Sequence, residues 1–427
     1  MSKKVSLKIW SNYYLFYILM LIFFGIFILY SKHNVGNDSS LSDWLINYSG
    51  GFVRRGLTGQ VVIEFSNTFS FALRDSILIF QIFFFTVYYL LIYFFFREIT
   101  INRLILLAIF SPIFIFYPVA ETEALGRKEI LIFFILILYL LSNLLNFKIQ
   151  LLFKLIIFPI SILIWEPVII FFPYLFLVDL ITFKINKLNK NFYFLILSFF
   201  PIFFTTLLIY LNPFSVENFN KMVSVLINDF GEKCYMSCNY VGNQSENSFM
   251  ELLIAHTEII ELQHLIRYTL IILIGFFPLF SLLKVSNLRN SNILLFSKFD
   301  NLLIPFFFAF LPSSLLYMTM YDWGRIVHIS YTFMLLSYVY FLKNKLIEIN
   351  FEKLKNNFLS KMSKKKFIFL FIIFCFCWNP KTVMRDDIAT NSLYKIVYNS
   401  SKKIFGFEGV RLFQDSPIIK FHEKFFE

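Results

Sequence analysis

Three short stretches set arginine beside glycine in a chain that is otherwise mostly apolar. They are NYSGGFVRRGLTGQ (Asn47 to Gln60), AETEALGRKE (Ala120 to Glu129) and YDWGRIVH (Tyr321 to His328). A guanidinium is planar, permanently charged and able to fork onto two phosphate oxygens, which an ammonium cannot do. Arg54, Arg55, Arg127 and Arg325, with Lys128, are therefore candidates for gripping an anionic head group. Gly50 and Gly51 allow a tight turn ahead of the first pair, and Gly56 and Gly59 follow at a spacing that suits a tight loop. The plain alternative is a solvated loop, or arginines reaching up to lipid head groups.

Acids accompany these cations. Glu166, in Trp165-Glu166-Pro167, and Asp322 are candidate general bases. A carboxyl in apolar surroundings has a raised pKa, which suits that role, although an arginine partner pulls it back; a capping or ion-paired acid is the plain alternative for Glu166. Glu123 and Arg127 lie four apart, so a helix-surface ion pair also accounts for them. Trp323 reads either as a surface for stacking a sugar ring or as an interfacial belt residue. His328, one helical turn beyond Arg325, joins the candidate binding set, against the commoner role of a satisfied histidine. Asp38 and Asp43 precede Trp44 in DSSLSDW and read as metal ligands, as activators of an acceptor hydroxyl, or as caps of a short helix beginning near Asp43.

The elements that must position these residues follow from composition. Of 427 residues, 58% are hydrophobic, 61 are phenylalanine and only 15% are charged, with a mean hydropathy of +0.69. A water-soluble globule would lack polar surface, so the chain reads as an integral membrane protein. Apolar runs recur at the spacing a hydrocarbon core of about 30 Å demands of helices, and the alternation of a transmembrane barrel is absent. The pattern predicts an all-α polytopic bundle with about eleven spans: 12–31, 75–96, 104–119, 129–146, 152–165, 168–182, 192–211, 264–284, 301–320, 326–342 and 367–380. The fifth and sixth form a hairpin broken by Pro159, Pro167 and Pro173. The first, behind Lys3, Lys4 and Lys8, lacks a small-residue cleavage site and reads as a retained span.

Charge sets the orientation. With the hairpin, cytoplasmic segments collect 21 lysines and arginines, eight of them from Lys343 to Lys366, against nine in the outer loops. The amino terminus is then inside and the tail, 381–427, outside the cytoplasm. Bundle 1–380 presents outer loops 32–74, 120–129, 212–263 and 321–325, and every unusual polar cluster falls on that outer face. The long loop is acidic and reads as a lid, and ENSFMELLIAHTEIIELQHLIRY as an amphipathic helix on the membrane surface. The net charge of +12 is spread through loops, so no nucleic-acid partner is expected. Cys234 and Cys238 form a disulfide if their loop is extracytoplasmic; two free thiols are the alternative. No zinc spacing and no G-x-x-x-x-G-K-[ST] motif is present, and no cofactor is expected.

The layout, with outer arginines in SGGFVRRGL, LGRKE and DWGR, resembles the polytopic polymerases of bacterial surface-polysaccharide clusters, most closely the Wzy-type O-antigen or capsule polymerases. That resemblance implies a GT-C-related glycosyltransferase of the bacterial inner membrane. It would join oligosaccharide repeat units carried on undecaprenyl diphosphate at the outer leaflet, among membrane lipid and with a chain-length regulator as a further partner. Two alternatives remain open. One is a GT-C enzyme using a polyprenyl-monophosphate sugar, with Asp38 and Asp43 catalytic and a divalent metal assisting. The other is a flippase or transporter of lipid-linked sugars, which should carry polar residues through the bilayer midplane.

Overall fold

Backbone amides have no water to bond inside a bilayer, so long apolar runs must satisfy themselves as helices. In the computed structural model of the chain, which describes residues 3–33, 39–142, 147–188, 190–246, 249–289, 293, 299, 301–384 and 389–390, they do. The protein is mostly helical. Among the described residues, five helices are long and apolar enough to cross a membrane: Trp10–Lys32, Leu73–Phe96, Lys190–Leu211, Leu262–Lys284 and Trp323–Lys343. Glu129–Ser142, Gln150–Ile164 and Leu303–Thr319 are shorter apolar helices. Most of the expected tail, 385–388 and 391–427, lies outside the described residues, as does Asp38.

Prolines decide where the runs break. The expected span 104–119 is a short helix, Arg103–Ile109, followed by turns and a second short helix, Tyr117–Ala120. Pro112 cannot continue the first helix because it lacks an N–H and restricts the residue before it. Side chains take over the carbonyls this break frees: Tyr331 donates to Ala108 O at 2.8 Å, Tyr89 to Ile115 O at 2.5 Å, and the His328 ring meets Ile113 O at 2.9 Å. The proline-broken hairpin also appears. Phe147–Ile164 is followed by a 3-10 turn, Glu166–Phe171, and by Phe172–Thr182, with Pro167 and Pro173 in the first turns of the last two. Lys154 and Asp179 pair across it, both essentially inaccessible, so the two arms run antiparallel and Glu166 stands at the tip.

The Trp323–Lys343 helix is the axis of the bundle, buried over nearly its whole length. At one end, Ser286–Leu288 pairs antiparallel with Ile347–Ile349, joining the two lysine-bearing segments near 284–289 and 343–366. At the other end gather the loops expected on the outer face. The segment 212–263 forms three helices, Val216–Phe230, Ser237–Glu246 and Phe249–Thr257, rather than an open loop. Arg74 forks onto Glu232 at 2.9 and 2.8 Å, and Cys234 and Cys238 are bonded. The expected surface helix is cut at 258–261: its first part is Phe249–Thr257, and Leu262 opens the next long helix. His256 of that first part lies with its ring 3.8 Å from that of Tyr321.

Candidate functional site

Four segments distant in sequence meet at the end opposite the Ser286–Leu288 and Ile347–Ile349 pair. The turn after Gly51, which takes a left-handed φ of +118° that favours glycine, delivers Arg54 and Arg55. Arg55 is itself left-handed at φ +60°, costly for a residue with a Cβ. Three hydrogen bonds hold it there. Its Nε and a terminal nitrogen donate to the two oxygens of Glu166 at 2.7 and 2.8 Å, and its carbonyl accepts from Lys128 Nζ at 2.6 Å. Arg54 approaches the same carboxylate only to 3.7 Å and is 28% exposed. The hairpin tip and the first outer loop are thus fastened together.

The 120–129 loop turns inward. Trp44 Nε1 and Gln81 Nε2 both donate to Gly126 O, at 2.7 and 2.9 Å, and pin the turn that carries Arg127, Lys128 and Glu129. Arg127 donates to the backbone carbonyl of Glu123 at 2.8 Å and reaches Asp322 at 3.7 Å. The expected Glu123–Arg127 carboxylate pair is therefore replaced: Glu123 is exposed, and buried Arg127 faces the 321–325 loop. Arg325 donates one terminal nitrogen to Asp322 and the other to Glu129. Gly324 fits because no side chain could: an added Cβ would lie 1.9 Å from Lys381 O.

Burial and charge fix the acid–base character of the cluster. Burial pushes the Glu166 carboxyl up, but Arg55 and Arg54 outweigh it and hold it below the ordinary range, which corrects the expectation of a raised value. Asp322 is held low in the same way, burial being overcome by Arg325 and Arg127. Asp43, 2% exposed, is pushed up by burial and brought lower on balance by Lys128, Arg55, Arg127 and Arg325. It begins the 3-10 turn Asp43–Leu45 without capping it. Lys128 is fully buried, and desolvation, partly opposed by Asp43, depresses it to about 8.

The structure therefore brings together Arg54, Arg55, Arg127, Lys128, Arg325, Glu166, Asp322 and Asp43. It does not open Trp323 as a stacking face: the indole is 2% exposed, donates to Tyr317 O at 2.9 Å, and packs against Tyr268 and Tyr317. His328 lies below Arg325, its ring between Tyr117 and Phe133. Glu129, which the motif reading passed over, is a principal partner of Arg325. Its one local signal was an acid opening an apolar helix. A cavity of about 20 Å³ lies among Arg127, Glu129, Arg325 and His328, room for one water-sized oxygen. Among the described residues, no group of three or more His, Cys, Asp or Glu side chains gathers as a metal site. Comparison with models of known protein families, with curated proteins and with solved structures finds no match.

Proposed function

We propose that the chain is a membrane glycosyltransferase that polymerises oligosaccharide repeat units carried on undecaprenyl diphosphate, as its resemblance to the Wzy-type polymerases implies. One observation carries the reading: guanidinium groups from three segments distant in sequence converge at one end of a helical membrane bundle. A lipid diphosphate presents its charge at the interface while its tail stays among lipid, so its receptor needs arginines at the rim of such a bundle. The carboxylates hold the guanidiniums in place before a ligand arrives, which lowers the ordering cost of binding. Arg54 is the readiest to take a phosphate oxygen, being the most exposed of the four and the most loosely paired. The arginines stabilise the diphosphate as it leaves.

Eleven spans with the amino terminus in the cytoplasm fit this reading. The two segments expected in the cytoplasm, one starting at Lys284 and one carrying the lysines from 343 to 366, pair at the end opposite the arginines, and a bonded Cys234–Cys238 suits an oxidising compartment. The monophosphate-sugar alternative with a metal at Asp43 is less favoured, because that carboxylate faces four cations that would repel a divalent ion.

The test changes Arg54, Arg55, Arg127 and Arg325 singly to alanine and follows the surface glycan in cells, with membrane abundance measured alongside. Arg54→Ala should shorten the glycan at unchanged abundance. Long glycan chains from all four variants, each present in the membrane, would remove the proposal.

A further inference from the structure

Within the outer cluster, one donor and one acceptor stand outside the ion-pair network. His328 lies one helical turn after Arg325 on the axial helix, so both side chains leave the same face. Its Nδ1 lies 2.9 Å from the carbonyl oxygen of Ile113. A carbonyl can only accept, so Nδ1 carries the hydrogen, and the neutral ring keeps a bare lone pair on Nε2. That Nε2 is buried and has no hydrogen-bond partner among the described residues. Arg325 uses both terminal nitrogens on Asp322 and Glu129, yet its Nε–H is likewise buried and unmatched among the described residues. His328 is 4% exposed, and Tyr117 and Phe133, with centroids 5.0 and 5.1 Å away, keep the ring from turning elsewhere. Both side chains line the same water-sized cavity.

We propose that this cavity is the seat of one hydroxyl oxygen, which accepts from Arg325 Nε–H and donates its own hydrogen to His328 Nε2. Water fills it at rest. Resting on the transferase reading, the acceptor alcohol takes the same place when the lipid-linked sugars are bound. The pair selects an atom that both donates and accepts. An ionised phosphate oxygen has no hydrogen for Nε2, and an ammonium has no lone pair for the guanidinium. The seat thus separates the acceptor end of the site from the diphosphate end at Arg54 and Arg55. His328 is a positioning residue that selects and orients the acceptor hydroxyl.

The experiment uses the full chain in lipid nanodiscs with nitrogen-15 histidine. Five histidines are present, and His328→Phe, which keeps an aromatic ring between Tyr117 and Phe133, identifies the His328 signals by their loss. The expected spectrum has a protonated Nδ1 and an unprotonated Nε2 that is hydrogen-bonded and receives magnetisation from water. A protonated Nε2 beside a bare Nδ1, or an Nε2 with the resonance of a free nitrogen and no water transfer, overturns the seat. In a second arm carbon-13 methanol serves as the probe alcohol. Contact between its carbon and Nε2, with loss of the water transfer, supports the acceptor role; an unchanged water contact overturns that role. The spectra stand apart from the glycan assay. Failure of the transferase reading leaves them as they are, whereas unchanged glycan from His328→Phe at normal abundance removes the acceptor role alone.

Discussion

Arg55 shows how much one side chain is asked to do. It sits in a left-handed conformation, joins the first outer loop to the hairpin tip, and offers its carbonyl to Lys128. Removing one partner of a buried pair leaves the other charge uncompensated, so Arg55→Ala should cost about 3 kcal/mol, read as a lowered unfolding midpoint in detergent. Glu166→Gln in the Arg55→Ala background should recover part of that loss; no recovery would mean the two residues are not coupled. Lys128 gives the cluster a pH signature. Its folded value of about 8 lies below the ordinary 10.5, so the unfolded chain binds the proton more tightly and stability from this residue rises as pH climbs between those values. The Lys128→Met variant should lose that rise in unfolding scans over the alkaline range. The depressed carboxyls, Asp43, Glu166 and Asp322, give a slope of the same sign in the acid range. Their contribution is present above the ordinary carboxylate range and fades as pH falls through their lowered values.

Helices and turns explain which parts of the sequence could be read ahead. Long apolar runs announce themselves, and Pro167 and Pro173 announced the hairpin turn, while Pro159, expected as a third break, lies inside the continuous Phe147–Ile164 helix. The run 104–119 misled because hydropathy does not see that tyrosines and a histidine from other helices will cap its broken backbone. Arginine motifs were legible as a set, since guanidiniums in loops expected on the outer face run against the insertion bias. Their partners were not. Glu129 lies 196 residues from Arg325, and no local spacing links them. Trp323 looked available because it adjoins charged residues, yet the turn at Gly324 tucks it under Tyr268 and Tyr317. That same turn yields a sharp expectation. Gly324→Ala places a methyl against Lys381 O and should cost about 1–3 kcal/mol as overpacking. Faster proteolysis near 381–384 would report the displaced strap, and an unaffected variant would show that the contact gives way easily.

Taken as one body, the protein is polarised. Carboxylate–guanidinium pairs hold one end, and a two-stranded ribbon joins lysine-bearing segments at the other. The orientation is checked by single cysteines in a background lacking the native ones. Asn220→Cys should react with an impermeant maleimide on intact cells, and Lys355→Cys only after permeabilisation; the reverse result would invert the bundle. Inside the hairpin, Lys154 and Asp179 neutralise each other, with Tyr139 and Gln150 also bonded to the acid. Neither arm can enter lipid by itself without carrying a lone ion, at a cost of several kcal/mol. On the eleven-span reading, biogenesis delivers both arms to the bilayer as a closed pair, so that each ion meets its partner before either is committed to lipid.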